Sequence, residues 1–310
     1  MKVENHAPMP RQFFVAAFGA LMLVFGATAF ASGKQEMPAA SSAAAVVNVT
    51  AAENFYGDIA QQIGGDHVSV TSILSDPNVD PHEYESNVDD AKAIANAALV
   101  IESGGGYDDW MDKLLSASPN EKRLVLKGFD IAPTKLEENE HVWYDPDNAK
   151  AIADALSDAL TKLDPGHASD YAKNLQAFEQ SLDGIRQKMS EIKTKFGGTP
   201  VGLTETIFLY QSKPMNLNVL TPFEFEKAIA EGNDPPADTV VTAESQITGK
   251  QVKVLIYNEQ TVDQVTTKLQ NDAKTAGIPV VPVTETMPIG KHYQSWMVDQ
   301  LNVLEQALGQ

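Results

Sequence analysis

The sequence predicts an α/β fold in which two parallel-sheet lobes are joined by one long rigid α-helix. Two observations support this fold class. Short apolar runs of strand type alternate with helical patterns along residues 46–310, which is typical of parallel sheets covered by helices. A body of that length also exceeds the usual size of a single hydrophobic core, so two units are expected.

The first half of this body contains four candidate buried strands. They lie at residues 46–50 (VVNVT), 68–74 (VSVTSIL), 98–102 (ALVIE) and 124–127 (LVLK). Helical segments are expected to begin near Asn54, Asn87, Tyr107 and Asp147. Because strand and helix alternate, residues 46–165 are predicted to form an N-terminal α/β lobe.

A long amphipathic segment separates the two halves. Apolar residues recur at spacings of three and four between His167 and Phe196, which predicts one helix of about 45 Å at 1.5 Å per residue. An Asp-Pro-Gly run precedes it and a Gly-Gly pair follows it, as helix start and stop signals require. Residues 166–197 are therefore predicted to be a rigid linking helix. One large doubly wound domain with this helix on its surface remains the alternative architecture.

The second half repeats the pattern of the first. Candidate strands lie at residues 200–204 (PVGLT), 252–257 (VKVLIY) and 278–284 (IPVVPVT). Strand followed by helix again indicates a parallel sheet. Residues 198–310 are predicted to form a C-terminal α/β lobe.

The N-terminus has the organisation of a secretory signal peptide. A basic start precedes an apolar run at residues 13–30, and a small-residue Ala-Phe-Ala site ends at Ala31. We expect residues 1–31 to be removed by cleavage after Ala31. A retained membrane anchor is the alternative, because the run approaches the length of a transmembrane helix. Residues 32–45 are small and of low complexity, and are expected to form a flexible leader.

The amino-acid composition limits where the protein can act, which metal ligands it can use and which partners it can bind. The chain contains no cysteine, which excludes disulfides, thiolate metal ligands and a lipid-modified N-terminal cysteine. We therefore expect an exported protein in a periplasm-like space, with any metal site built from histidine and carboxylates. A formal charge of −19 makes nucleic acid and anionic lipid surfaces poor partners, because phosphate binding needs clustered Lys and Arg.

Four residues form the candidate metal site, two in each half of the chain. They are His82 in DPHEYE, His141 in EHVWYDP, Glu205 in LTETIFLY and Glu285 in VTETMP. Each comes just after a predicted strand or in a loop between elements, where parallel sheets place ligands. Taken singly, a loop histidine or a glutamate at a helix start is more often a surface residue. Three other histidines lack such context and are interpreted as surface residues: His67, His167 and His292.

Several of these segments together resemble the metal-specific substrate-binding proteins of ATP-driven importers, which deliver zinc or manganese to a membrane permease. The resemblance covers residues 46–308. It includes the DPHEYE and HVWYDP segments, the long helix, and the runs VKVLIYNEQT, AGIPVVPVTETMP and HYQSWMVDQLNVLEQAL. Agreement in order and spacing over several motifs is more specific than any single motif. The resemblance implies one metal ion in the cleft between two lobes, with ligands from both.

Carried over residue by residue, the resemblance implies His82 and His141 as the first two ligands. The third position, often a histidine in zinc-type members, is Glu205 here, and the fourth, usually an aspartate, is Glu285. Two imidazoles and two carboxylates suit tetrahedral Zn²⁺, whereas bidentate carboxylates suit Mn²⁺. The His-rich loop that zinc-type relatives often carry is replaced by residues 135–140 (KLEENE), which have no imidazole. Zn²⁺ is favoured slightly over Mn²⁺.

The sequence thus predicts an exported, monomeric carrier, and not an enzyme, that binds one Zn²⁺ or Mn²⁺ and delivers it to an ABC-type permease. Its affinity is expected to fall below about pH 6, where imidazoles become protonated. A zinc hydrolase with Glu205 or Glu285 as general base is the enzymatic alternative, although neither H-E-x-x-H nor G-x-S-x-G occurs. A surface adhesin is the third alternative.

Overall fold

The computed structural model of the protein describes residues 46–76, 79, 81 and 84–310. The predicted signal peptide (residues 1–31), the predicted leader (residues 32–45) and His82 lie outside the described residues. Within the described part, parallel strands alternate with helices along the chain, as the sequence predicts.

Four parallel strands form the sheet of the N-terminal lobe. They are β1 (Val47–Glu53), β2 (Val68–Leu74), β3 (Leu99–Glu102) and β4 (Leu124–Lys127). The order across the sheet is β2-β1-β3-β4, with Val49 of β1 paired to Val70 and to Leu99 in its two neighbours. All four predicted strands are confirmed. β3 is buried on both faces, since Ile101 packs into the main core and Val100 into a second apolar cluster, which explains its apolar sequence.

Five helices connect these strands and lead to the linking segment. In chain order they are α1 (Asn54–Gly64), α2 (Val88–Asn96), α3 (Asp109–Ala117), α4 (Gly128–Ile131) and α5 (Pro146–Leu163). The predicted starts near Asn54, Asn87 and Asp147 are confirmed to within one residue, and the start near Tyr107 to within two. α2 begins where the sequence indicates because the Asn87 side chain caps the first backbone N–H groups of the helix.

The linking helix is present as predicted, with one bend. It consists of α6 (Ala168–Ser181) and α7 (Asp183–Phe196). Between them the Leu182 N–H lies 3.3 Å from the Phe178 carbonyl, and Ser181 donates its hydroxyl to the same carbonyl. A serine that bonds back to the preceding turn is a recognised cause of helix bending. The long helix is confirmed, and the bend is a feature that its apolar periodicity does not indicate.

Four parallel strands also form the sheet of the C-terminal lobe. They are β5 (Pro200–Leu203), β6 (Asn218–Val219), β7 (Leu255–Asn258) and β8 (Val280–Val283). The order is β6-β5-β7-β8, so β5 and β7 are the two central strands. The residues that follow these two strands lie at the middle of the carboxyl edge of the sheet. The three predicted strands are confirmed. β6 was not predicted, because a two-residue strand at an edge has no apolar run to reveal it.

Helices cover this second sheet as well. They are α8 (Leu209–Ser212), α9 (Phe223–Ala230), α10 (Ala237–Thr248), α11 (Gln264–Ala276) and α12 (Tyr293–Leu308). Leu269 and Ala273 of α11 pack against Leu255 of β7 in an apolar cluster. Among the helices of the described ranges, none combines the length and the apolar character needed to cross a membrane.

An aromatic core joins the two lobes. Phe55 of α1 stacks on Trp143 with 4.5 Å between ring centroids, and it packs against Trp296 of α12 at 6.0 Å. Tyr144 contacts both Trp296 and Phe208 edge to face. Such pairs stabilise a fold by about 0.5–1.5 kcal/mol each beyond the area they bury. The two separate sheets exclude the single doubly wound domain, and the lobes share one continuous core.

Candidate metal centre

Three of the four candidate ligands converge where the two lobes meet. His141, Glu205 and Glu285 each offer a ligand atom, and these atoms lie within 4.8 Å of one another. All three side chains are buried, and His141 Nε2 lies 4.0 Å from Glu285 Oε2. His82 lies outside the described residues, so its place in this group stays a prediction. One imidazole nitrogen and two carboxylate oxygens at this spacing have suitable chemistry for a divalent cation.

His141 lies in the connection between α4 and α5, directly before the 3₁₀ turn Val142–Tyr144. The C-terminal lobe holds this connection in place. The hydroxyl of Tyr210 in α8 accepts the Leu136 N–H and donates to the Asn139 carbonyl, both at 3.0 Å. A tyrosine hydroxyl that is satisfied in this way fixes the course of the chain immediately before His141.

Asn139 determines which nitrogen of His141 is available to a metal ion. Its Nδ2 donates to the Thr206 carbonyl at 2.7 Å and its Oδ1 accepts the His141 backbone N–H at 3.1 Å, so the orientation of the amide is fixed. The same Oδ1 lies 3.0 Å from His141 Nδ1. Because that oxygen is an acceptor, it favours the tautomer with the proton on Nδ1, and Nε2 is the nitrogen that faces Glu285.

Glu205 follows β5 and begins the 3₁₀ turn Thr206–Phe208. Its Oε1 accepts the backbone N–H of Ile207 at 3.2 Å, whereas the buried Oε2 has no hydrogen-bond partner among the described residues. Burial raises the pKa of the carboxyl well above its ordinary value, and the charges of Glu285 and Glu140 raise it further. A cation held beside this carboxyl would compensate its charge.

Glu285 follows β8, and both of its oxygens have donors. Asn258, the last residue of the neighbouring β7, donates from Nδ2 to Oε1. Tyr107 of the N-terminal lobe donates its hydroxyl to Oε2 at 2.8 Å. Neutral donors orient a carboxylate without neutralising it, and each oxygen retains lone-pair capacity. The arrangement favours a cation bound through one oxygen rather than through both.

A tight glycine loop directs Tyr107 toward Glu285. Residues 104–106 are three consecutive glycines, each with positive φ, a conformation that other residues rarely adopt. The Asp108 carboxylate accepts the backbone N–H groups of Ser103 and Gly104, both at 2.7 Å, which closes the loop from the inside. Tyr107 is thereby held at the lobe boundary.

Aromatic rings surround His141 and exclude water from it. The Tyr107 ring contacts the imidazole edge to face at 5.7 Å, and the Trp143 ring does so at 5.2 Å. Trp143 is fully buried. In such surroundings the attraction between a cation and its carboxylate ligands is much stronger than in water.

Sequence patterns predicted the three converging candidate ligands but missed the residues that orient them. Asn139, Tyr107 and Asn258 lie in segments that carry no metal-site motif. Only Asn258 had a usable signal, because it follows a predicted strand, and parallel sheets gather such residues at one edge. The other two are recognised only when the fold brings them to the ligands.

Comparison with known proteins gives a consistent result. A family model described as zinc-uptake complex component A, periplasmic, matches residues 49–307. The metal ABC transporter substrate-binding lipoprotein ScbA of Streptococcus cristatus is 28% identical over 313 residues, covering 93% of this chain and 96% of that protein. The manganese-binding lipoprotein MntA of Bacillus subtilis is 29% identical over 188 residues, covering 57% of this chain and 61% of that protein.

Solved structures have the same fold. The periplasmic zinc-binding protein TroA from Treponema pallidum matches with a TM-score of 0.72 at 19% identity, over 84% of this chain and 98% of that chain. A manganese-bound periplasmic metal-binding protein from Candidatus Liberibacter asiaticus gives a TM-score of 0.69 at 19% identity, with the same coverage. At this identity the similarity concerns the fold, namely the two parallel sheets and the long helix.

Proposed function

The chain belongs to the family of zinc-uptake complex component A proteins, and we propose that it captures a single Zn²⁺ or Mn²⁺ ion for import. Its relatives are substrate-binding components of metal ABC transporters and not enzymes. The chain accordingly binds a transition-metal ion as cargo and works with a membrane permease and its ATPase. The hydrolase and adhesin alternatives have no support from these relatives.

The observation that carries the proposal is the buried group of His141, Glu205 and Glu285. Without metal this group is costly, because burial disfavours the charged form of Glu205 and raises the pKa of its carboxyl. A divalent cation offsets that cost and accepts a lone pair from each of the three side chains. We propose these residues as ligands, with His82 as the fourth on the strength of its DPHEYE segment.

We propose Zn²⁺ as the slightly preferred ion, with Mn²⁺ close behind. Support for Zn²⁺ comes from Glu285, because a donor on each oxygen favours binding through one oxygen and a low coordination number. Glu205 has a single 3.2 Å contact to Oε1, so it retains the capacity to bind through two oxygens, which suits Mn²⁺. Both ions occur in the names of similar proteins, zinc for TroA and manganese for MntA.

The chain is an exported protein, as its relatives are, and we propose that it acts in the periplasm as a monomer after removal of residues 1–31. ScbA and MntA are named as lipoproteins. The present sequence contains no cysteine to carry a thioether-linked lipid, so it lacks the lipid attachment that those names imply. N-terminal sequencing of exported protein tests this, and a chain that still begins at Met1 would contradict it.

Equilibrium dialysis followed by elemental analysis tests the proposed function. Wild-type protein in equal Zn²⁺ and Mn²⁺ is expected to hold one ion per chain, and His141→Ala to hold none at the same free metal concentration. Glu205→His is expected to move the bound fraction toward Zn²⁺, because imidazole suits Zn²⁺ better than Mn²⁺. Wild-type protein without bound metal would overturn the function. An unchanged ratio in Glu205→His would overturn the assignment of Glu205.

A further inference from the structure

Side chains from distant elements hold the short turn that carries Glu285. We define the Glu285 turn as residues 284–287. Amide oxygens accept each of its backbone N–H groups: Gln300 that of Thr284 at 2.9 Å, Gln260 those of Glu285 and Thr286 at 2.7 and 3.0 Å, and Asn54 that of Met287 at 2.9 Å. Buried backbone groups need such partners. The position of Glu285 therefore depends on three amide side chains.

Asn54 belongs to the opposite lobe. It is the first residue of α1, and it makes two hydrogen bonds with Met287. Its Nδ2 donates to the Met287 carbonyl at 2.7 Å, and its Oδ1 accepts the Met287 N–H at 2.9 Å. Two bonds to one residue restrain the orientation of the Glu285 turn as well as its distance from α1. A displacement of α1 by about 1 Å breaks both bonds, since a separation beyond about 3.5 Å is no longer a hydrogen bond.

Gln260 makes a second connection of this kind. Its Oε1 accepts the N–H groups of Glu285 and Thr286. Its Nε2 donates to Thr286 Oγ1 at 3.0 Å and to the carbonyl of Val79, in the N-terminal lobe, at 2.9 Å. One amide thus joins the Glu285 turn to the opposite lobe.

We infer that Asn54 and Gln260 are positioning residues that couple metal retention to the contact between the lobes. While the contact is intact, they hold Glu285 where its carboxylate meets His141 and Glu205. Loss of the contact removes the hydrogen bonds to Asn54 and Val79, so that Gln260 and Gln300 of its own lobe are left to hold the Glu285 turn and the metal ion loses a well-oriented ligand. A membrane partner that shifts one lobe against the other then releases the cargo without having to outcompete an intact site. The inference rests on the proposed metal-binding function.

The same helix provides a matched control. Gln62 lies eight residues after Asn54 in α1. Because residues four apart share a helix face, both side chains lie on the same side of α1. Gln62 exchanges two amide hydrogen bonds with Gln294 of the C-terminal lobe, at 3.2 and 3.0 Å. Loss of this pair removes the same kind of contact between the lobes at a point outside the Glu285 turn. A general loosening of the lobes and a specific release of Glu285 are therefore distinguishable.

The test is the rate at which an excess of a strong chelator removes Zn²⁺ from the loaded full-length protein. Asn54→Ala is expected to release Zn²⁺ about 10–100 times faster than wild type, because loss of an orienting group typically lowers metal affinity by that factor and such losses lie mostly in the dissociation rate. Gln62→Ala is expected to release it at the wild-type rate. Asn54→Asp keeps the side-chain size and the acceptor for the Met287 N–H but loses the donor, so it is also expected to release faster. This variant serves if Asn54→Ala does not fold.

The outcomes separate the inference from the function on which it rests. If wild-type protein binds neither Zn²⁺ nor Mn²⁺, the proposed function falls. If wild type binds metal but the Asn54 and Gln62 variants release it at equal rates, the inference falls and the contact has only a structural role. Faster release confined to the Asn54 variants supports the inference, provided that metal-free Asn54→Ala and Gln62→Ala have similar melting temperatures.

Discussion

Both sheets of the protein end in buried carboxyl groups, but the two lobes use them differently. In the N-terminal lobe Glu53 ends β1 and Glu102 ends β3, and in the C-terminal lobe Glu205 and Glu285 follow β5 and β8. All four side chains are buried. Within the described part of the chain, only the C-terminal pair gathers with a histidine into a group of candidate metal ligands. A position at the carboxyl edge of a parallel sheet is therefore insufficient for a metal site.

The difference lies in what surrounds each carboxyl. Glu102 is paired with the Lys127 ammonium at 2.7 Å. Burial raises the pKa of Glu53 well above its ordinary value, and the nearby Asp108 raises it further, which favours the neutral acid. Glu285 instead accepts hydrogen bonds from two neutral donors, Tyr107 and Asn258. The pKa of Glu205 is raised in the same way as that of Glu53, so what distinguishes the C-terminal pair is that the His141 imidazole lies within reach of both carboxyls.

Replacing one buried carboxyl in each lobe by its amide is expected to give the largest difference in Zn²⁺ affinity between two variants. Glu205→Gln is expected to weaken Zn²⁺ binding by about 3 kcal/mol, or about 100-fold, if the four proposed ligands share a total of about 12 kcal/mol equally. Glu53→Gln removes an equally buried carboxyl and is expected to leave the affinity unchanged. Competition with a fluorescent zinc chelator measures both affinities. An equal loss in the two variants would show that the lobes do not differ in this way.

The metal-free forms of the same variants supply the control. Burial raises the pKa of both Glu205 and Glu53, so ionisation at neutral pH favours the unfolded chain. An amide does not ionise, and both variants are expected to melt at a higher temperature than metal-free wild type. Similar stabilisation combined with unequal affinity would assign a role in metal binding to Glu205 and none to Glu53.

A smaller loss of affinity is expected from the residue that orients His141. Asn139→Ala removes the acceptor for the Nδ1 proton and is expected to lower the affinity about 10-fold. Asn139→Asp keeps an acceptor and is expected to recover most of the loss. Nitrogen chemical shifts of His141 in the metal-free protein report which nitrogen carries the proton. An unchanged tautomer in Asn139→Ala would leave Asn139 with only a structural role.

Local signals made most of the fold predictable. Seven strands and the linking helix were identified because each contains an apolar run or a periodic apolar side. β6 has two residues, too few to show a pattern. The bend at Leu182 depends on how the Ser181 hydroxyl competes for a backbone carbonyl, and the same sequence is compatible with a straight helix.

The candidate site was predictable only where its residues carry a local signal. Glu205 and Glu285 directly follow strands and lie in recognisable segments. Tyr107 reaches Glu285 across 178 positions of sequence, and Asn139 reaches Thr206 across 67. Such contacts depend on the packing of one lobe against the other. This packing produces no periodic pattern in the sequence of a single chain. The convergence of three candidate ligands was therefore predictable, whereas the residues that orient them required the three-dimensional structure.

The pH dependence of stability reports on a buried carboxyl of the N-terminal lobe, Glu102. Burial raises the pKa of Glu102 from 4.5 to about 7, and the hydrogen bond from Lys127 offsets part of the rise. The folded protein therefore binds more protons than the unfolded chain between about pH 4.5 and pH 7. The contribution of Glu102 to the free energy of unfolding is fully present below this interval and is lost as the pH rises through it.

Urea unfolding of the metal-free protein at several pH values measures this contribution. Glu102→Gln is expected to reduce the decline in stability between pH 4.5 and pH 7, since the amide does not titrate in that interval. Lys127 keeps a partner in the variant, because it also pairs with Asp112 at 2.8 Å. Zn²⁺ affinity at neutral pH is expected to stay at the wild-type value. A pH profile identical to that of wild type would contradict the role assigned to Glu102.

The smallest expected effect lies between the lobes, in the linking helix. Gly184 is in the first turn of α7, and a Cβ at this position meets no atom within 4 Å. Glycine within a helix costs about 0.5–1 kcal/mol relative to alanine, so Gly184→Ala is expected to raise the free energy of unfolding by up to about that amount. Urea unfolding with and without metal measures the gain.

Gly184 lies outside both groups of carboxyls, so the gain is expected to be the same in the loaded and the metal-free protein. Equal stabilisation of the two forms means, by thermodynamic linkage, that the metal affinity is unchanged. A gain that differs between the forms would mean that the bend of the linking helix contributes to the geometry of the metal site. The division of roles between the two lobes would then have to include the helix that joins them.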